Sequence, residues 1–184
     1  MQRPTLETKR LILRPLFATD GPRVQQLAGD HKVAATTLNI PHPYQDGFAE
    51  EWIASHESEF VEQKTLVLAI CLKNCNELIG AISLTLKTEH QLAELGYWIG
   101  VPYWNRGYCT EACREIMRYG FTTLHLNKIF ATSFAGNESS ERVMQKLGMQ
   151  QEARLRGHFR HWNQYQDVIG YGILKDDFLT NLVV

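Results

Sequence analysis

The apolar pattern opens at Leu11-Ile12-Leu13, between Arg10 and Arg14, which reads as a short strand ending at Pro15. Asp20 then stands where a helix cap belongs, with Pro22 in the first turn and Val24, Leu27 and Ala28 on one face. Pro41 and Pro43 mark Asn39–Gly47 as a loop, and Trp52, Ile53, His56 and Phe60 give Phe48–Gln63 a helical period. From Thr65 the period falls to that of strands. Leu66–Leu72, Leu78–Leu86 and Leu92–Val101, separated by polar breaks, predict an antiparallel meander. In the last of these, Leu92, Glu94, Gly96 and Trp98 share one face, and Ala93, Leu95, Tyr97 and Ile99 the other.

A long amphipathic helix follows, from about Gly107 to Leu124. Its stripe is Cys109, Ala112, Cys113, Ile116, Met117, Gly120, Phe121 and Leu124. Lys128–Phe134 reads as a strand, Glu138–Leu147 as a helix stopped by Gly148, and Gln150–Arg156 and Tyr165–Leu174 as two final strands. No repeat interrupts this order. It predicts an α+β fold in one domain, residues 1–184, built around a central sheet flanked by helices.

Composition narrows the function classes. A net charge of −1 gives no general attraction to nucleic acid or to an anionic membrane, so neither is an expected partner. The first sixteen residues hold no unbroken apolar run, and Leu66–Leu72 is far short of a membrane span, so a cytoplasmic protein is expected. The pairs Cys71/Cys75 and Cys109/Cys113 invite a zinc reading. Cys71 lies in an apolar strand and Cys113 on an apolar helix face, which favours buried reduced thiols and no metal.

The chemistry concentrates in Tyr103-Trp104-Asn105-Arg106-Gly107-Tyr108-Cys109-Thr110-Glu111-Ala112, a glycine-centred loop joining a strand to the long helix. Backbone N–H groups at such a junction lack intrahelical partners, and the helix dipole adds positive charge. The result suits a pyrophosphate. Gly107 allows close approach, Arg106 can add a side-chain contact, and Cys109 is small enough not to block it.

Trp104-x-x-Gly107-x-Cys109 resembles the Q/R-x-x-G-x-G/A loop of the GNAT N-acetyltransferases, departing from it at both ends. The wording Y-W-x-R-G-Y-x-T-E-A is similar to the RimJ/RimL group, which acetylates protein N-termini. Leu6-x-Thr8-x-Arg10-Leu11-x-Leu13-Arg14, Glu94–Ile99, the Asn137–Met149 segment and Asp167 match in order, so the resemblance runs from about Leu6 to Phe178.

The resemblance implies a mixed, mostly antiparallel sheet whose splayed strands hold acetyl-CoA. Ile99, Gly100 and Val101 would bind the pantetheine arm, and Arg106, Gly107, Tyr108, Cys109, Thr110 and Glu111 the pyrophosphate. Asn137 would touch the cofactor from the other side. Catalysis would consist of holding amine and thioester together, with a donor near the developing charge. Glu94 is the candidate for carrying away the amine proton. Met144 stands where many family members have a proton-donating tyrosine, and Ser140 is the alternative donor. Each has a plainer role open to it, Glu94 as a strand surface carboxylate and Ser140 as a first-turn residue satisfying backbone groups. His42–Tyr44 and His158–Trp162 could wall the acceptor pocket. The expected activity is acetylation of a protein N-terminal α-amine of ribosomal-protein type by a monomer or homodimer. A small amine acceptor, or a CoA-binding regulator without turnover, are the alternatives.

Overall fold

The computed structural model describes residues 2–182. In chain order the elements are β1 (Leu6–Glu7), β2 (Leu11–Arg14), α1 (Gly21–Ala28), α2 (His31–Ala34) and α3 (Phe48–Val61). Next come β3 (Thr65–Leu72), β4 (Leu78–Lys87), β5 (Leu92–Ile99) and α4 (Tyr108–Thr122). The chain continues through β6 (Lys128–Phe134), α5 (Glu138–Lys146), β7 (Gln150–His161), β8 (Gln164–Leu174) and α6 (Lys175–Leu182). All the strands join one eight-stranded sheet in the order β1-β2-β3-β4-β5-β6-β8-β7. Every neighbouring pair is antiparallel except β5–β6.

β3 shows why its sequence is apolar without alternation. Leu66, Leu68 and Ile70 pack into the core shared with α4 and α5, while Val67, Ala69 and Cys71 pack into a second core under α1 and α3. A strand covered on both faces needs apolar residues on both. The face assignment in β5 holds: Ala93, Leu95 and Ile99 are buried toward α4. Along α4 the stripe also holds, with Ala112, Cys113, Ile116, Met117, Gly120 and Phe121 buried.

Several sequence expectations need correction. Asp20 occupies the cap position of α1 but makes no capping bond. Its carboxylate instead accepts from Arg14 Nη1 and Nη2, at 2.8 and 3.0 Å, and from the Phe17 N–H at 2.8 Å. The two-pronged guanidinium pair, with both side chains largely shielded, and the Phe17 N–H together hold the carboxylate, leaving the first N–H groups of α1 without it. β1, α2 and α6 were not anticipated, and the first two are too short to show a period. β7 continues through His161, so the segment read as an acceptor wall is strand up to the hairpin turn. Cys75 is exposed, unlike Cys71 and Cys113, and all four thiols are free.

Gly80 lies opposite Ile99 in the β4–β5 ladder, where a Cβ would press directly on the Trp98 carbonyl oxygen. That atom belongs to the backbone and cannot rotate away. Gly80→Ala is expected to lose roughly 1–3 kcal/mol of stability. Urea unfolding checks this, and an unchanged midpoint would mean that β4 and β5 approach less closely than described.

Candidate active site

The site begins where a ladder stops. β5 and β6 pair in parallel only at Leu92/Lys128, Ala93/Ile129 and Glu94/Phe130. Beyond Glu94 the strands diverge, although each continues for several residues. Backbone groups along an antiparallel pair point alternately to each neighbour. The Gly100 N–H donates to Ile79 O, so those of Tyr97 and Ile99 turn away from β4, toward the gap. A cleft of about 740 Å³ opens there, lined from β5, the β6 end, the α4 N-terminus, the first turns of α5 and the loop after α2.

The structure brings Glu94, Ile99, Gly107, Tyr108, Cys109, Thr110, Asn137 and Ser140 to the walls of this one cleft. Gly100, Val101, Arg106 and Glu111 are not among its lining residues. Gly100 is buried against Leu27, and its N–H is already engaged by β4. Of Ile99, the carbonyl is taken by the Trp104 indole N–H at 2.6 Å. The unusual first residue of the loop thus ties the loop to the edge of β5.

At the α4 N-terminus, Gly107 has φ +77, a conformation that disfavours any side chain. The first helical bond runs from Glu111 N–H to Gly107 O. The N–H groups of Tyr108, Cys109 and Thr110 precede it and face an open anion site. Arg106 is exposed and forms no ion pair among the described residues.

Glu111 turns the other way. Its carboxylate accepts from the Thr8 hydroxyl at 2.6 Å, the Arg10 N–H at 2.9 Å and Arg10 Nε at 2.7 Å. Arg10 also donates to Arg106 O at 3.0 Å and lies 4.5 Å over the Tyr108 ring. Arg10 therefore fixes the loop from behind, a role that sequence reasoning missed. The opening motif Thr8-x-Arg10 was visible, but its partner stands about a hundred residues away.

Asn137 caps α5, its Oδ1 accepting from the Ser140 N–H at 3.2 Å. Ser140 is not the cap. Its hydroxyl lies 2.7 Å from the hydroxyl of Tyr97, a second residue that sequence reasoning missed. Burial pushes the Tyr97 phenol well above its usual value, with the nearby Cys113 and Cys109 thiols adding to the effect. Met144 is fully buried in the core. On the opposite face of β5, Glu94 Oε1 accepts from Thr132 Oγ1 at 3.0 Å, two residues beyond the last β5–β6 pair, Glu94/Phe130.

The two segments flagged as acceptor walls meet. Trp162, at the β7–β8 turn, stacks on His161 at 4.6 Å and reaches His31 at 4.9 Å and His42 at 5.8 Å. Asp167 accepts from the Gly157 N–H at 2.9 Å and from Arg154 at 3.1 Å, holding a bulge in the β7–β8 pairing.

The family profile described as acetyltransferase (GNAT) domain matches residues 10–150. The chain belongs to the GNAT acetyltransferase family. It is 30% identical over 173 residues to the uncharacterised N-acetyltransferase YoaA of Bacillus subtilis, covering 94% of this chain and 97% of that protein. To the spermidine N(1)-acetyltransferase of Escherichia coli K12 it is 29% identical, covering 91% and 88%. Among solved structures, RimL, a ribosomal L7/L12 α-N-protein acetyltransferase in complex with coenzyme A, shares the fold with a TM-score of 0.87. That likeness covers 95% of this chain and 99% of RimL at 15% identity. The GNAT acetyltransferase is accordingly an acyltransferase that uses acetyl-CoA. Its cleft fits that group: a row of free N–H groups for the pyrophosphate, then an unpaired strand edge for the amides of pantetheine. No helix among the described residues is long and apolar enough to cross a membrane.

Two outcomes are expected. Gly107→Val forces a branched side chain into φ +77 and distorts the anion site, so CoA affinity should fall at least about tenfold in a folded protein. Unchanged binding by calorimetry would move the pyrophosphate elsewhere. The second concerns acid stability. Burial opposes the Glu111 charge, but Thr8 and Arg10 outweigh it and hold the carboxyl below its ordinary 4.5. Its contribution is therefore complete above that pH and lost as pH falls through the lower folded value. Wild type should exceed Glu111→Gln in stability between about pH 5 and 8, and the gap should close in acid. A gap that is the same at every pH would mean that the charge does not matter.

Proposed function

We propose that this GNAT acetyltransferase transfers acetyl to a single primary amine, in the first place a protein N-terminal α-amine, with Glu94 taking the amine proton and Ser140 supplying a donor at sulfur. The observation that carries the reading is the charge of the cleft. Among its lining residues Glu94 is the sole carboxylate, and Arg142 and Lys146 are the cations. One carboxylate suits a monocation. A polyamine presents further cationic nitrogens, which would find hydroxyls at Ser83, Thr85 and Thr132 but no second anion.

The two candidate groups sit on opposite faces of β5, consistent with a reaction through the gap. Acetyl-CoA occupying the α4–α5 side would bring its thioester toward Ser140. An amine arriving on the other side would meet Glu94, whose Oε2 has no hydrogen-bond partner among the described residues. A free α-amine has a pKa near about 8, so it needs only modest help to become neutral. Holding it against the thioester supplies most of the advantage. Of the two segments flagged as acceptor walls, Phe159 lines the cleft, whereas Trp162, His31 and His42 meet one another outside its lining.

Release of free thiol from acetyl-CoA, with N-terminal peptides and spermidine compared side by side, tests the reading. Peptides should be the better acceptors. Preference for spermidine would replace the proposed acceptor and keep the cofactor, and no turnover with any amine would make the chain a CoA-binding regulator. Glu94→Gln should lower kcat by about a hundredfold, most strongly below the amine pKa, with CoA affinity nearly unchanged. Wild-type rates across pH would remove Glu94 from the mechanism.

A further inference from the structure

We propose that Tyr97 is a positioning residue for acetyl transfer: its hydroxyl donates to Ser140 Oγ and so turns the Ser140 O–H toward the cleft and the departing sulfur. The inference rests on the reading of Ser140 given above and adds the group that decides where its proton points.

The argument is one of counting hydrogens. Ser140 and Tyr97 each carry one hydroxyl hydrogen, and their oxygens are 2.7 Å apart, so one hydrogen lies between them. If Ser140 supplied it, the Tyr97 hydrogen would need another acceptor. Among the described residues its other acceptor is the Ser140 carbonyl oxygen at 3.4 Å, beyond the usual range for such a bond. If Tyr97 supplies it, every group is satisfied except the Ser140 hydrogen, which is then free. Both residues line the cleft, so that free hydrogen is available to a ligand.

The rest of the surroundings keep this arrangement in place. The Ser140 backbone is anchored by Asn137 at the cap of α5. Tyr97 is held by the β4–β5 ladder opposite Ile82, and its ring packs against the core under α4. Burial raises the phenol above its ordinary value, so it stays protonated and acts as a donor at working pH.

During transfer the amine nitrogen bonds to the thioester carbon, and its proton leaves toward Glu94. The carbon–sulfur bond then breaks with its electron pair passing to sulfur. The Ser140 O–H donates a hydrogen bond to that sulfur as charge develops. CoA leaves as thiolate, Glu94 returns the amine proton to water, and the thiolate takes up a proton from that water. No hydrogen is lost from Ser140 or Tyr97, so the pair is ready for another cycle.

The sequence offers no sign of this pairing. Tyr97 falls on the buried side of an alternating strand, where an aromatic residue reads as core, and Ser140 stands 43 positions later. Met144 cannot supply the donor that a tyrosine would, and the β5 tyrosine brings a phenol to the same helix from the sheet side.

A double-mutant cycle tests it. Tyr97→Phe keeps the ring and removes the hydroxyl. It is expected to lower kcat about tenfold, the equivalent of one misdirected hydrogen bond, while KM for acetyl-CoA stays within about twofold. In a Ser140→Ala background the same change should cost nothing further, because there is no hydroxyl left to aim. CoA binding and thermal melting of each variant establish that it is folded. Wild-type kcat in Tyr97→Phe, or a full additional loss in the double variant, would overturn the positioning role and leave Ser140 standing. Wild-type kcat in Ser140→Ala would instead overturn the reading of Ser140, and this inference with it. Should Tyr97→Phe not fold, 3-fluorotyrosine at position 97 serves, since it keeps both ring and donor. It should retain kcat, and a loss as large as that of Ser140→Ala would count against the proposal.

Discussion

The structure depends on a hydrogen-bond ladder that stops early. Parallel pairing of β5 with β6 lasts for three residue pairs and then fails, leaving the backbone of Tyr97 and Ile99 facing a gap inside a sheet that is otherwise continuous. Unpaired backbone groups in a shielded place are costly unless something pairs with them. A ligand carrying amides in an extended chain can do so, and the pantetheine of acetyl-CoA is such a chain. The same break joins the two faces of the sheet, which would otherwise be sealed from each other by apolar strands. In the proposed reaction, a cofactor bound from the α4–α5 side meets an amine arriving from the other.

The loop at that gap is tied down from its rim and from behind. The Trp104 indole caps the Ile99 carbonyl, and Arg10 links Glu111, Arg106 O and the Tyr108 ring. These bonds run between segments distant in sequence and leave the N–H groups of Tyr108, Cys109 and Thr110 free. The division is clear in Glu111: its N–H closes the first turn of α4, and its carboxylate grips the N-terminal strands. A residue matched to a binding loop by its place in the sequence can serve that loop from behind.

Much of this was legible in the residues. The stripe of α4 gave its buried face and the alternation in β5 separated its two faces, because burial on one side leaves a period that can be read. The turn at Gly107 was legible because a loop entering a helix exposes N–H groups whatever the side chains. Arg10, Tyr97 and Thr132 were not legible. Each acts through a partner on another element, and nothing local distinguishes Tyr97 from a core aromatic. Asp20 failed for the opposite reason. Its local cap signal was sound, but Arg14 offered it a stronger partner. The meeting of His31 and His42 with Trp162 depends on how α2, the loop at His42 and the β7–β8 turn come together, and separate segments carry no record of that.

The central claim is that the interrupted edge of β5 and the first turn of α4 together receive acetyl-CoA. Amide hydrogen exchange, followed residue by residue with and without saturating CoA, measures this most directly. The account requires exchange to slow at Tyr97, Ile99 and the Tyr108–Thr110 amides, while the amides of α1 and α3 keep their rates. Protection centred on α1 and α3, with the Tyr108–Thr110 amides exchanging as they do in the free protein, would contradict it.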